Sequence, residues 1–212
     1  MVEVELKFQI PEARRNALMK ALDPKKSEKI QLQAKYYDTP DRRLSQHGVA
    51  LRQRLEGTRW VQTLKAAGKS HIERFEHNYD FGEVEHTPAL NLGIYDNDPE
   101  ALLILNNALT DATDQLQLQF ETDILRTLRV IEYQGTEIEV ALDIGQVRTL
   151  QAAQAVHEVE FELKSGSVEH LLAFSLEWVK KYQLWLDVRS KAEIGHLLTT
   201  QRDVSPAPCG KE

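Results

Sequence analysis

Val2-Glu3-Val4-Glu5-Leu6-Lys7-Phe8-Gln9-Ile10 alternates apolar and polar side chains without interruption. Successive side chains of an extended strand point to opposite faces, so this stretch reads as a strand with one apolar and one charged face. The same two-faced pattern returns along the chain. Around 49–56, Arg52, Arg54 and Glu56 oppose Val49, Leu51 and Leu55. Around 72–81 the polar face holds Arg74, Glu76 and Asn78. Around 137–144, Glu137, Glu139 and Asp143 oppose Ile138, Val140, Leu142 and Ile144. Around 156–164, Glu158, Glu160, Glu162 and Lys164 oppose Val159, Phe161 and Leu163.

A merely solvated face would mix in Thr, Ser, Gln and Asn, and like charges at every second position repel. Cross-strand ion pairs in water return only a few tenths of a kcal/mol each. Closing the sheet with its charged faces inward makes better sense of the pattern. The expected fold is therefore α+β: a closed, eight-stranded, mostly antiparallel β-barrel. Helices at 12–22, 168–182 and 191–200 are expected to cover its apolar outer face. Punctuation fits this reading: Pro11 opens the first helix, and Asp23-Pro24 ends it. Glu56-Gly57-Thr58 and Tyr133-Gln134-Gly135-Thr136 read as hairpin turns. Residues 83–110 read as an insertion or seam containing a helix near 98–108. Residues 1–202 are expected to form one domain, and 203–212 a disordered tail.

Bulk properties narrow the partners. The 212-residue chain carries a formal net charge of −7, which argues against indiscriminate nucleic-acid binding. No apolar run reaches the roughly 18 residues of a membrane helix, and the acidic N-terminus does not read as a signal peptide. The one cysteine, Cys209, has no partner within the chain, consistent with a cytoplasmic location. The seven histidines show no ligand spacing, and no Gly-rich phosphate loop or Ser-His-Asp order appears. A monomer or homodimer acting on a small molecule, with no nucleic acid and no membrane, is the expectation.

A cavity lined by both carboxylates and cations needs an occupant, because unpaired buried charge is costly. Arginine and lysine match phosphate oxygens. Clustered carboxylates match a hard divalent cation such as Mg²⁺ or Mn²⁺. A polyphosphate with its metal uses both sets.

The residues also carry a resemblance. Glu3-x-Glu5-x-Lys7 resembles the signature strand of the CYTH superfamily, the triphosphate tunnel metalloenzymes. Tyr36-Tyr37-Asp38-Thr39, Leu51-Arg52-Gln53-Arg54, Thr63-Leu64-Lys65, Arg74-Phe75-Glu76, Glu158-Val159-Glu160-Phe161-Glu162 and Ser190-Lys191 resemble further family motifs in order. The ordered set spans roughly residues 1–200, and Ile138 to Gly145 looks closest to the bacterial inorganic triphosphatase branch.

That resemblance implies metal-dependent hydrolysis of a triphosphate, inorganic tripolyphosphate foremost, by in-line attack of water. It implies a catalytic set of Glu3, Glu5, Lys7, Glu76 and Glu139, and metal ligation by Glu3, Glu5, Glu160 and Glu162. It implies a phosphate clamp of Arg52, Arg54, Lys65, Arg126 and Lys191. Thiamine triphosphatase, a class IV type adenylyl cyclase and a non-catalytic polyphosphate or nucleotide binder are the alternatives. Two departures stay open. Ala141 stands where many relatives have Asp, with Asp143 on the same face, and Arg129 competes with Arg126.

Overall fold

The computed structural model describes residues 4–67, 74–109, 116–187 and 189–200. Nine strands make one sheet: β1 (Glu5–Gln9), β2 (Glu28–Asp38), β3 (Val49–Glu56), β4 (Arg59–Ala67), β5 (Arg74–Glu83), β6 (Gln117–Tyr133), β7 (Thr136–Arg148), β8 (Ala153–Ser165) and β9 (Trp185–Leu186). The helices are α1 (Arg15–Ala21), α2 (Arg43–Gln46), α3 (Pro99–Ala108), α4 (Val168–Tyr182) and α5 (Lys191–Thr199). The strand order is β5-β4-β3-β2-β6-β7-β8-β1-β9, with antiparallel neighbours throughout.

The antiparallel sheet with helices is as expected, but the eight-stranded closed barrel is corrected. The ninth strand is the two-residue β9, which pairs with Phe8 and Gln9 of β1. The edges β5 and β9 are not paired with each other among the described residues. β9 is short because Asp187 follows at once, and its carboxylate accepts the Arg189 backbone N–H at 3.0 Å, turning the chain toward α5.

The long ladder β6–β7–β8 is set by tight turns. Gln134 and Gly135 have φ of 52° and 76°, the two positive-φ positions of a two-residue hairpin turn, whose twist matches that of the flanking strands. The Ser167 hydroxyl accepts the Glu169 N–H at the start of α4, and Gln183 in the left-handed region ends it.

Two apolar layers lie on the outer face. α1 and α4 cover β1, β7 and β8, burying Phe8, Ile138, Val140, Leu142, Val159 and Phe161 with Leu18, Leu171 and Phe174. Trp178 belongs to this layer, with its ring centroid 5.6 Å from Phe161 and 5.5 Å from Phe174. Burying each such large side chain contributes about 1.5–3 kcal/mol. The second layer places α2 and α3 over β3 and β4, around Leu51, Leu64, Tyr95 and Leu105. From the segment read as an insertion or seam, Tyr95, Ala101, Leu105 and Ala108 are thus part of the core. The fully buried Gln53 and Gln62 fasten this segment by donating to the carbonyls of Pro88 at 3.0 Å and Asn91 at 2.7 Å.

α5 corrects a second expectation. It packs on the inner face, among Leu32, Ala34, Tyr36, Phe120, Ile124, Val147 and Val156. A Cβ on Gly195 would lie 2.3 Å from the Phe120 ring, so this close approach needs glycine. The inner face of β2 and β6 is apolar where α5 covers it, and Arg126 interrupts a largely apolar row on β6, which explains why the alternation there is hard to read from sequence.

Candidate active site

The register of the sheet determines what meets on the inner face. β8 sets Glu158 opposite Asp143 and Glu160 opposite Ala141 of β7. β6 sets Arg126 opposite Asp143, and β1 sets Lys7 opposite Glu160. The carboxylates of Asp143, Glu158 and Glu160 offer oxygens that all lie within 4.8 Å of one another. The side chains of Asp143 and Glu158 are 0% exposed and that of Glu160 is 13% exposed.

Three cations meet this trio. The Arg126 guanidinium donates through Nε and Nη2 to the two oxygens of Asp143, both at 2.7 Å, and also contacts Glu160. The Lys191 ammonium lies 2.7 Å from Asp143 and 3.1 Å from Glu160, and touches Glu158. Lys7 Nζ lies 3.4 Å from Glu158 and donates to the Arg189 carbonyl. The pairing shows in the ionisation. Burial pushes the Glu160 carboxyl up, but Lys191, Arg126 and Lys7 outweigh it and hold it well below the usual range. Burial disfavours charge on Lys191, yet Glu160, Glu158 and Asp143 raise it well above its ordinary value. Arg126 is raised likewise, with Glu160 and Asp143 overcoming burial.

Further along the inner face lies a basic group. Arg52 sits opposite Tyr36, and Arg54 opposite Ala34. Arg54 Nε donates to Glu56 at 2.7 Å, and burial together with the neighbouring Arg52 charge lowers its affinity for a proton. Arg52 Nη1 approaches the Tyr36 hydroxyl at 3.5 Å, and its buried Nε has no hydrogen-bond partner. Lys65 pairs with Glu76 at 2.5 Å, and Glu76 also accepts from Asn78 at 2.8 Å. Glu76 is held below its ordinary value, because Lys65, Asn78 and Arg52 outweigh burial.

Of the residues expected from sequence, Lys7, Arg126, Glu160 and Lys191 are therefore brought together. Arg52, Arg54, Lys65 and Glu76 form the second group. Glu5, Glu139 and Glu162 align across β1, β7 and β8 on the same face, but outside the trio, and Glu162 pairs with Lys164 at 2.9 Å. Glu3 lies outside the described residues. Of the two candidate arginines, Arg126 faces the trio, while Arg129 reaches the Leu22 carbonyl at 3.4 Å. Tyr37 turns away and donates to Gln53 at 3.0 Å. Asp38 serves the fold, accepting the N–H groups of Thr39, Leu44 and Ser45 at 2.8, 2.9 and 3.0 Å.

Sequence reasoning gave Glu158 no role and left Asp143 open. Their parity with Glu160 and Glu139 was the available signal, but only the β7–β8 register shows that they face each other. Asp187 was missed altogether. It holds Arg189 at 2.8 Å and accepts from Gln9 at 3.2 Å, joining β1 to the segment that leads into α5.

The trio suits a hard divalent cation. Its donors are all carboxylate oxygens, which fit Mg²⁺ or Mn²⁺. Both oxygens of Glu158 are buried and accept no hydrogen bond, although Lys7 and Lys191 approach them as charges. A surface depression lined by Gln31, Asp123, Leu125 and Ile144 is on the opposite face of the sheet and contains no comparable set of charges.

A CYTH domain model matches residues 1–193. An inorganic triphosphatase of Haemophilus influenzae is 34% identical over 171 residues, covering 79% of this chain and 46% of that protein. The chain thus spans less than half of that relative's length. Among solved structures, the Hippeastrum protein HpAC1, a candidate adenylyl cyclase with a dominant triphosphatase activity, matches with a TM-score of 0.64 at 16% identity. The match covers 94% of this chain and 96% of HpAC1. A candidate adenylate cyclase from Bacillus halodurans matches with a TM-score of 0.59 at 18% identity, covering 89% and 94% of the two chains. At these identities the structural likeness speaks for the fold alone.

Proposed function

The chain belongs to the CYTH domain family, and from that premise we propose that it is a metal-dependent triphosphatase acting on inorganic tripolyphosphate. The observation that carries the reading is the buried trio Asp143, Glu158 and Glu160 on the same sheet face as Arg52 and Arg54. A pure anion binder has no use for buried carboxylates, and a structural ion cluster has no use for adjacent arginines with an orphaned donor.

In this reading Asp143, Glu158 and Glu160 would hold Mg²⁺ or Mn²⁺, with Glu5 and Glu162 extending the acidic wall. Once bound, the cation neutralises charge on the phosphate oxygens. Arg52 and Arg54 grip the polyphosphate, the free Nε of Arg52 supplying a donor that the protein itself does not use. Arg126 is held by the Asp143 fork and presents a fixed positive charge. Lys7, Lys65 and Lys191 complete the clamp. Glu76 and Glu139 orient the attacking water. Glu76 stays ionised below its ordinary range, which suits it to accept a hydrogen bond from water more than to take its proton. Positioning and fixed charge supply the catalysis, with no covalent nucleophile.

The test is phosphate release from tripolyphosphate, pyrophosphate, ATP and thiamine triphosphate, each with Mg²⁺, Mn²⁺ or EDTA. Release from tripolyphosphate alone, abolished by EDTA and by Glu160→Gln, is expected. Preference for thiamine triphosphate or ATP would reassign the substrate. Stabilisation by triphosphate without turnover would make the protein a binder.

A further inference from the structure

The trio holds a cation of the protein's own. The Lys191 ammonium lies 2.7 Å from Asp143 and 3.1 Å from Glu160 and also touches Glu158. Those three carboxylates are the ones whose oxygens converge within 4.8 Å. An ion bound by all three would compete with Lys191 for the same space and charge. We propose that Lys191 is an internal competitor that keeps the trio closed to a divalent cation until a polyphosphate draws its ammonium away. The release step rests on the triphosphate reading; the closure does not.

Charge balance supports this. Asp143, Glu158 and Glu160 are matched by Arg126, Lys191 and Lys7 in a buried setting. A divalent cation added to that matched set leaves buried positive charge without a counter-charge, which is strongly unfavourable. A polyanion arriving with the metal removes the problem if one cation transfers to it.

Lys191 is the cation free to do so. Arg126 is locked by two parallel bonds to Asp143, and Lys7 is tied to the Arg189 carbonyl. Lys191 is the first residue of α5, whose start is fixed by a capping box between Ser190 and Glu193. Its backbone can stay in place while the flexible four-carbon stem swings. Metal and polyphosphate are then thermodynamically coupled, each raising the affinity of the other.

The experiment measures the Mn²⁺ dissociation constant of the full chain with and without a non-hydrolysable methylene-bridged triphosphate. In the parent protein the analogue is expected to tighten Mn²⁺ binding by about tenfold or more, within the usual range of such couplings. Lys191→Met is expected to tighten binding of Mn²⁺ alone by about tenfold and to shrink the effect of the analogue. Lys35→Met is the charge control, because Lys35 bonds to Thr87 Oγ1 at 2.9 Å, away from the trio. It is expected to leave Mn²⁺ binding within about twofold, as remote charges are screened.

Equal or weaker Mn²⁺ binding by Lys191→Met overturns the proposal. Should that variant not fold, Lys191→Gln replaces it: tighter Mn²⁺ binding supports the proposal, and equal or weaker binding overturns it. Tighter Mn²⁺ binding by Lys191→Met with no response to the analogue in either protein supports the closure and overturns the triphosphate reading.

Discussion

The inner face of the sheet divides into two halves built on opposite electrostatic terms. On β7 and β8, Asp143 and Glu158 are buried and Glu160 nearly so, and each has a cation from β1, β6 or α5 beside it. On β3, β4 and β5 the charged groups are partly open: the side chains of Lys65 and Glu76 are 30% and 25% exposed. There Arg52 and Arg54 share one strand face, two residues apart, and the Arg52 Nε donates to nothing. In the first half each carboxylate is met by a counter-charge, so its energy lies largely in stability. The second half carries like charges side by side and an orphaned donor, so its energy is realised only when an anion arrives. Removing a charge should therefore have opposite consequences in the two halves.

The largest effect is expected at Asp143. Asp143→Ala strips Arg126 of its fork and Lys191 of a partner, leaving buried cations short of counter-charge. Breaking a buried pair from one side costs about 3–5 kcal/mol, so the urea midpoint at pH 7 should fall steeply, with turnover lost. A change below about 1 kcal/mol, the range of exposed pairs, would show the acidic half to be wetter than its burial indicates.

Acid should reach the same energy gradually. The folded Glu160 carboxyl lies well below its ordinary value of 4.5. Its contribution is therefore fully present above pH 4.5, and is lost as pH falls through the folded value. Lys191 has the opposite sign: raised above 10.5, it contributes fully below that pH and loses its contribution only as pH rises through the higher folded value. Thermal unfolding across pH should show a plateau from about pH 5 to 10 and a fall on the acid side.

In the basic half, Arg52→Met is expected to weaken triphosphate binding by about 1.5–3 kcal/mol, the usual worth of a charged hydrogen bond. KM should rise by roughly ten- to a hundredfold in consequence. The melting temperature should hold or rise, because the Arg54 guanidinium loses a like-charged neighbour. A large loss of stability with unchanged KM would reverse the assignment of the two halves.

The sequence made the acidic half only partly legible, for a geometric reason. Two-residue alternation put Glu158, Glu160 and Glu162 on one face and Glu139 and Asp143 on another, and the structure keeps both sets inward. Which members meet depends on strand register, and register is set by turns and bulges such as the shift between Glu137 and Ile138. The family resemblance points to Glu160 and Glu162 on β8, and the ladder sets Glu158 and Asp143 beside Glu160 against Lys191. α5 was read as an outer helix because its apolar residues fit any apolar face. Only the inward parity of Leu32, Ala34, Phe120 and Ile124 sends it inside. In contrast, the elements with local signals were recoverable: α4 between the Ser167 cap and Gln183, and the β6–β7 turn at Gln134-Gly135.

The smallest effect is expected at Glu76, and it isolates the difference between the halves. Glu76 and Glu160 are both inner-face carboxylates paired with lysines, at 2.5 Å from Lys65 and 3.1 Å from Lys191. Pair distance alone would rank Glu76 as the more important. Solvent reverses that order, because water screens the open Lys65–Glu76 pair and rehydrates Lys65 once its partner is gone. Glu76→Gln should thus cost no more than about 1 kcal/mol, a shift of about 2–4 °C in melting temperature for a chain of this size. Glu160→Gln leaves Lys191 and Arg126 buried with one charge fewer and should cost several times as much. Measured side by side in low and high salt, the Glu76 effect should shrink with salt and the Glu160 effect should persist. Equal losses with equal salt sensitivity would mean that the two halves share one environment, and the division between metal side and phosphate side would fall with it.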